Sequence, residues 1–192
     1  MRLSSRTIDM PTIETARLTL RPIMMRDLES LQRLIYGDAD ATKYLPTGKP
    51  WPLGETQALV AWWVGQWQAR KFGVWAVTET ATGEFLGDCG LMYMPSTTHT
   101  IELMYSLRKS AWGKGYASEA AQAAVRHGFE QMGLEHIVAL AVPENIGSRR
   151  VMEKIGMRFD GITAKYYGAD LAAYSLTRKD FHPDVNVYNL KD

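Results

Sequence analysis

Between positions 110 and 120 the chain reads Ser-Ala-Trp-Gly-Lys-Gly-Tyr-Ala-Ser-Glu-Ala. Two glycines flank Lys114, and an alanine-rich run follows directly. The first N–H groups of a helix have no intrahelical partners, and glycines let a backbone approach a ligand closely. With the lysine charge added, the stretch suits a phosphate or pyrophosphate. An ordinary tight turn into a helix uses the same residues, because glycine is the default turn residue. Two specific phosphate motifs fail. A P-loop needs G-x-x-x-x-G-K-[ST], but Gly115 follows Lys114 and Arg108 stands where the first glycine should be. A dinucleotide fingerprint needs a third Gly or Ala where Ser118 stands. Its acidic partner should follow the next strand, whereas Glu135 precedes it.

A second residue with chemistry is Glu102, a carboxylate set among Ile101, Leu103 and Met104. Burial would raise its pKa and make it a general base. On an alternating strand it could equally face solvent, with Met104 and Ser106 on the same side. Cys89 is the only cysteine, and it forms no nucleophile–base motif with His99, His127, His136 or His182. The histidines also lack metal-ligand spacing, so no metal is expected.

These residues need elements to hold them. Strands are predicted at 16–20, 74–78, 84–92, 100–107, 137–142, 158–162 and 171–177, and helices at 27–35, 55–71, 117–132 and 146–155. Asp27 resembles an N-cap, and Gly156 a C-cap. Leu59, Trp62, Trp63 and Trp67 form one stripe of a helix, which points to core packing. Turns at Thr82-Gly83 and Pro95–Thr98 link three strands into an antiparallel meander. Ala117, Ala120, Ala121, Ala124, Val125, Gly128 and Met132 give the helix after the glycines a face able to lie close to a sheet. The expected fold class is α/β (α+β), with a mixed, mostly antiparallel central sheet flanked by helices. Residues 1–12 read as a loose lead-in, 13–182 as a single domain, and 183–192 as a C-terminal tail.

Composition bounds the function. The chain has 192 residues and a net charge of +1. Such a length buries roughly 70% of its unfolded surface and needs no disulfide or metal to fold. A balanced charge lacks the concentrated basic field of a general nucleic-acid binder. The lone cysteine fits a reducing cytoplasm. No stretch has the length and apolarity of a membrane span or signal peptide.

The chain resembles the GNAT superfamily of acyl-CoA-dependent N-acyltransferases, and within it the ribosomal-protein N-terminal (alanine and serine) acetyltransferase branch. The resemblance rests on five segments in the family's order: Glu14–Pro22, Ile101–Leu107, Trp112–Ala120, Asn145–Met157 and Tyr174–Arg178. It implies acetyl-CoA as cosubstrate and an amine acceptor. By the same resemblance, the backbone at Trp112, Gly113, Lys114, Gly115, Tyr116, Ala117 and Ser118 holds the pyrophosphate. Tyr105, Ser106 and Leu107 offer backbone groups to the pantetheine arm, and Asn145 hydrogen-bonds that arm. Ser110 stands where the family often has Arg or Gln, leaving open whether Lys114, Arg108 or Lys109 pairs with the anion.

The resemblance further implies direct attack by the amine, with Glu102 aligned to the acid that takes its proton. Many members protonate the leaving thiolate with a tyrosine seven residues beyond the position of Asn145; here that residue is Met152, which has no proton to give. In the ribosomal-protein branch a serine matching Ser148 is the proposed donor; Ser148 could instead cap its helix or bond the cofactor. Tyr44, Trp51, Tyr166 and Tyr167 are candidates to line the acceptor's entry. The acceptor is a protein N-terminus, a small amine, an amino acid or an antibiotic. The protein is expected to be a monomer or homodimer, with no nucleic acid or membrane partner. A non-catalytic acyl-CoA-binding or regulatory module on the same fold is the alternative.

Overall fold

A computed structural model describes residues 11–45, 47–70, 72–94, 97, 99–183 and 188–191. Nine strands form one sheet: β1 (Thr12–Glu14), β2 (Leu18–Pro22), β3 (Val74–Glu79), β4 (Phe85–Tyr93), β5 (Ile101–Leu107), β6 (His136–Ala141), β7 (Arg158–Thr163), β8 (Leu171–Thr177) and β9 (Asn189–Lys191). Their spatial order is β7-β8-β6-β5-β4-β3-β2-β1-β9. The helices are α1 (Leu28–Leu31), α2 (Ala39–Thr42), α3 (Leu53–Arg70), α4 (Tyr116–Glu130) and α5 (Ile146–Lys154). The mixed, mostly antiparallel sheet is the fold class expected from the sequence.

The β3–β4–β5 meander forms as predicted, with β5 paired to β4 along its whole length, from Gly87↔Leu107 to Tyr93↔Ile101. After β5 the chain crosses over through α4 and returns as β6, which makes β5 and β6 parallel. They share a single register pair, Glu102↔Val138. Among the described residues no further ladder pair joins them.

One face of the sheet packs on α4. Leu91, Leu103 and Leu107 meet Ala120, Ala121, Ala124 and Phe129 there, with Met152 of α5 in the same cluster. The opposite face carries Val74 and Ala76 against Val60 and Trp63 of α3 and Ile35 and Tyr36. Small side chains on α4 matter, as anticipated: a Cβ added at Gly128 would come within 2.7 Å of Leu91 Cδ1.

Several local expectations are corrected. The strand predicted at 16–20 is β2 and runs two residues later, because Thr15 makes a turn there, accepting from the Leu18 N–H at 3.0 Å through its hydroxyl, and β1 precedes it unpredicted. Asp27 takes the N-cap position of α1 as expected, but its side chain makes no cap bond there. Its carboxylate is held by Arg21 at 2.6 and 2.8 Å and by the Met24 N–H at 2.8 Å. The helix beyond it continues as a wide π-turn through Gln32–Tyr36. The buried stripe of α3 is Thr56, Val60, Trp63 and Trp67, while Trp62 is exposed. Apolar counting misses Thr56, whose hydroxyl is satisfied by Gln32 Oε1 at 2.5 Å. The C-terminal segment adds β9 to β1 in antiparallel register. Residues 1–10 and most of the predicted turn at 95–98 lie outside the described residues.

A buried polar pair sits on the α3 face. Asp88 of β4 stands opposite Ser106 of β5 and is fully buried. Its Oδ2 accepts from Tyr36 Oη at 3.3 Å, while Oδ1 has no partner among the described residues. Burial pushes this carboxyl up to about 8. The unfolded chain releases the same proton near pH ~4. Between these values the folded state holds more protons, so stability falls as pH rises. Asp88→Asn should therefore raise the melting temperature at pH 8 much more than at pH 4. Equal shifts at the two pH values in thermal melts would contradict this account of Asp88.

Candidate active site

The stretch from Leu107 to α4 is a turn held from behind. Gly113 and Gly115 have φ of +72° and +81°, the left-handed region that side chains disfavour. Gly115 is the N-cap of α4 and brings no side chain to its first turn. The first intrahelical bond closes from the Glu119 N–H to the Gly115 carbonyl at 3.1 Å. The N–H groups of Tyr116, Ala117 and Ser118 precede it and point out of the helix end. Trp112 anchors the turn to the strand through Nε1, which donates to the Leu107 carbonyl at 2.6 Å.

Arg17 supports the other side. Its Nη1 donates to the Lys114 carbonyl at 2.9 Å, and Nε donates to Glu119 Oε2 at 2.7 Å. The guanidinium lies 4.6 Å from the Tyr116 ring centroid. Glu119 also accepts from the Arg17 N–H at 2.9 Å and from the Thr15 hydroxyl at 2.6 Å. A carboxylate in the first turn of a helix would repel an incoming anion. Here Arg17 offsets that charge. The segment Thr15–Arg17 was legible only as part of a resemblance; its role as the back of the glycine turn needs contacts spanning a hundred residues.

Two hydroxyls meet where α5 begins beside the gap between β5 and β6. Tyr105 Oη lies 2.8 Å from Ser148 Oγ and donates to the Ser148 carbonyl at 3.0 Å. The α5 cap is Asn145, whose Oδ1 accepts from the Ser148 N–H at 3.0 Å. Ser148 is thus not the cap that its position allowed. Met152, which replaces the family's usual tyrosine, is a buried core residue. The Tyr105 side chain was missed as a partner of Ser148, since only its backbone was expected to matter.

Glu102 lies at the fork of β5 and β6 and is only 7% exposed. Burial raises its carboxyl to about 7, against the opposing pull of a hydrogen bond from Tyr167. That bond runs from Tyr167 Oη to Glu102 Oε2 at 2.5 Å. Strand alternation places Glu102, Met104 and Ser106 on one face of β5 and Tyr105 on the other. Packing agrees, since Met104 joins the α3-side core and Tyr105 the α4-side core. The remaining entry aromatics are spread out. Trp51 packs on Tyr36 at 5.0 Å, Tyr166 is buried with Met94 and Val138, and Tyr44 lies beside Lys43.

Known proteins place this arrangement. The family model "Acetyltransferase (GNAT) domain" matches residues 17–158. YnaD of Bacillus subtilis (strain 168), an uncharacterized N-acetyltransferase, is 36% identical over 153 residues, covering 80% of this chain and 86% of its own. A GNAT-family acetyltransferase from Bacillus anthracis superposes with a TM-score of 0.74 at 30% identity, covering 88% of this chain and 99% of that one. The fold is shared with Mycobacterium smegmatis RimJ, solved in complex with CoA-disulfide, at a TM-score of 0.72 and 22% identity over 88% of each chain. Fold and family together define an acyl-transfer enzyme. The chain belongs to the GNAT acetyltransferases and is an N-acetyltransferase.

Glu119 accepts from the Thr15 hydroxyl, the Arg17 N–H and the Arg17 guanidinium, and truncating it removes these bonds from the β1–β2 turn. Glu119→Ala is expected to lower unfolding stability by about 1–3 kcal/mol in urea titrations. Glu119→Gln should recover part of the loss, because its amide oxygen can still accept.

Proposed function

We propose that the protein transfers the acetyl group of acetyl-CoA to a primary amine by direct attack. The acceptor is a protein N-terminus or a small amine. The observation that carries this reading is the placement of two proton-handling groups on opposite faces of β5. Glu102 lies on the α3 face, and the Ser148–Tyr105 pair lies on the α4 face at the start of α5. Direct transfer needs this separation, since the amine loses a proton on one side of the thioester and the thiolate departs on the other.

Each residue has a role. The N–H groups of the turn from Gly113 to Ser118 bind the pyrophosphate, aided by the helix end and Lys114. A Cβ at Gly113 would meet nothing within 4 Å, so the outer side of the turn has room for a ligand. Trp112 fixes the start of that turn. Past Glu102 the edge of β5 facing β6 has no ladder pair, which leaves backbone groups around Tyr105, Ser106 and Leu107 for the pantetheine amides. Asn145 spends its carboxamide oxygen on α5 and keeps its amide donors for the same arm.

Glu102 takes a proton from the acceptor ammonium. The amine nitrogen then bonds to the thioester carbonyl carbon, and the carbon–sulfur bond breaks. Ser148 gives its hydroxyl proton to the departing thiolate; the new amide nitrogen sheds its second proton, a proton returns to Ser148 through solvent, and Glu102 releases the proton it took to water. Tyr105 is its hydrogen-bond partner, and burial pushes the Tyr105 phenol up so that it stays protonated. The buried Cys89, with its thiol pushed well up by burial, takes no part as a nucleophile. As the lone cysteine it can form no internal disulfide, which fits work in the cytoplasm.

A base that ionises at about 7 makes the rate rise as pH passes through neutrality. Glu102→Gln should reduce kcat about 10²–10⁴-fold while changing acetyl-CoA affinity little. Unaltered turnover would remove Glu102 from the mechanism. Gly115→Asp should sharply weaken acetyl-CoA binding in calorimetry, since it adds bulk and negative charge at a left-handed position. Unchanged affinity would sink the pyrophosphate assignment. The acceptor class is tested by thiol release from acetyl-CoA with peptides bearing N-terminal Ser, Ala, Thr or Met, free amino acids, polyamines and aminoglycosides. Acceptor-dependent release names the class. Tight binding with no release on any amine would favour an acyl-CoA-binding module.

A further inference from the structure

The link between β7 and β8 contains Tyr167, whose φ is +52°. Among the described residues it is the one non-glycine with a left-handed backbone, and Gly168 follows with φ of +66°. An aromatic residue in this region costs about 1–2 kcal/mol. Such strain persists where the surroundings hold it in place. The Tyr167 side chain is 44% exposed, yet its hydroxyl reaches a carboxylate that is only 7% exposed. The contact is 2.5 Å from Oη to Glu102 Oε2. A surface loop is thus tied to a buried carboxylate of β5 by one hydroxyl.

We propose that Tyr167 is a positioning residue for acetyl transfer, holding Glu102 through Oε2 so that Oε1 is presented to the acceptor amine. The inference rests on Glu102 acting as the base. The geometry explains why a bulky residue tolerates a strained backbone at this point. It also explains how a carboxylate in an apolar setting keeps its charged form accessible. Without a donor, burial alone would drive Glu102 further toward the protonated acid.

The surroundings of Glu102 leave Tyr167 without a competitor. Beside it in the sheet stand Met92 of β4 and Val138 of β6, neither of them charged. On the same face Met104 packs toward α3. From the link, Tyr166 packs on Met94 and Val138. Lys165 lies 5.1 Å from the Tyr166 ring centroid, and both Lys165 and Asp170 are exposed. Among the described residues, Tyr167 is the titratable group that acts on the Glu102 carboxylate.

The test is the pH profile of kcat/KM for the wild type, Tyr167→Phe, Tyr167→Asn and Glu102→Gln. The hydroxyl favours ionised Glu102, so its loss raises the Glu102 pKa. The acidic limb of Tyr167→Phe should move to higher pH. The wild-type to variant ratio of kcat/KM should then be larger near pH 6 than near pH 9, with acetyl-CoA affinity unchanged. Tyr167→Asn should show the same displacement, and because asparagine tolerates left-handed backbone it should also be as stable as the wild type or more so. Limbs that coincide with the wild type in both variants would overturn the role of Tyr167. A limb that survives in Glu102→Gln would instead overturn the base assignment.

Discussion

Everything in this site follows from how two strands meet. β5 and β6 are parallel and joined at one residue pair, Glu102 with Val138. On its other edge β5 is paired with β4 along its whole length. Past Glu102 the edge facing β6 has no ladder pair among the described residues. A sheet edge of this kind binds an extended amide-bearing chain through backbone groups alone. In the proposed mechanism that chain is the pantetheine arm, and the closed end of the fork is where the acyl group must stop.

The same strand separates the reacting groups by parity. Residues three apart on a strand face opposite ways, so Glu102 and Tyr105 cannot share a side. Each face has its own helices, with α3 over one and α4 and α5 over the other. In the proposed mechanism an acceptor arriving from the α3 side meets a carboxylate, and a thiolate leaving on the α5 side meets hydroxyls. Keeping the two apart also prevents Glu102 and Ser148 from simply exchanging a proton with each other.

Much of this was legible in the sequence. Nearly all the principal strands and helices lie within a residue or two of their predicted limits, because alternation and helical spacing are local signals. The glycine motif and Glu102 also stand out, since glycines around a lysine and an acid in an apolar strand are conspicuous types. The missing parts all depend on contacts between distant segments. Arg17 reads as an ordinary charged residue until Lys114 and Glu119 lie beside it. Tyr167 looks like any loop aromatic until the β7–β8 link folds over β5. Thr56 was passed over because its polarity hides a buried position that Gln32 satisfies. Asn145 and Ser148 both favour helix caps, and only geometry decides which of them takes the role.

Asp88 and Glu102 show why burial alone does not make a base. Both sit on the α3 face of neighbouring strands, and burial raises both carboxyls toward or past neutrality. Both accept a hydrogen bond from a tyrosine. The difference lies in the tyrosines. Tyr36 is itself 2% exposed and sits beneath Trp51 and Trp63, so Asp88 is sealed. Tyr167 is 44% exposed on a surface link, so the group bonded to Glu102 is itself in contact with solvent. A group can serve in proton transfer only if its proton has somewhere to go. Asp88 has no such route, and its raised pKa is a cost borne by the fold. Glu102 pairs a similar shift with a solvent-exposed hydrogen-bond partner, and the proposed mechanism uses that combination in a general base.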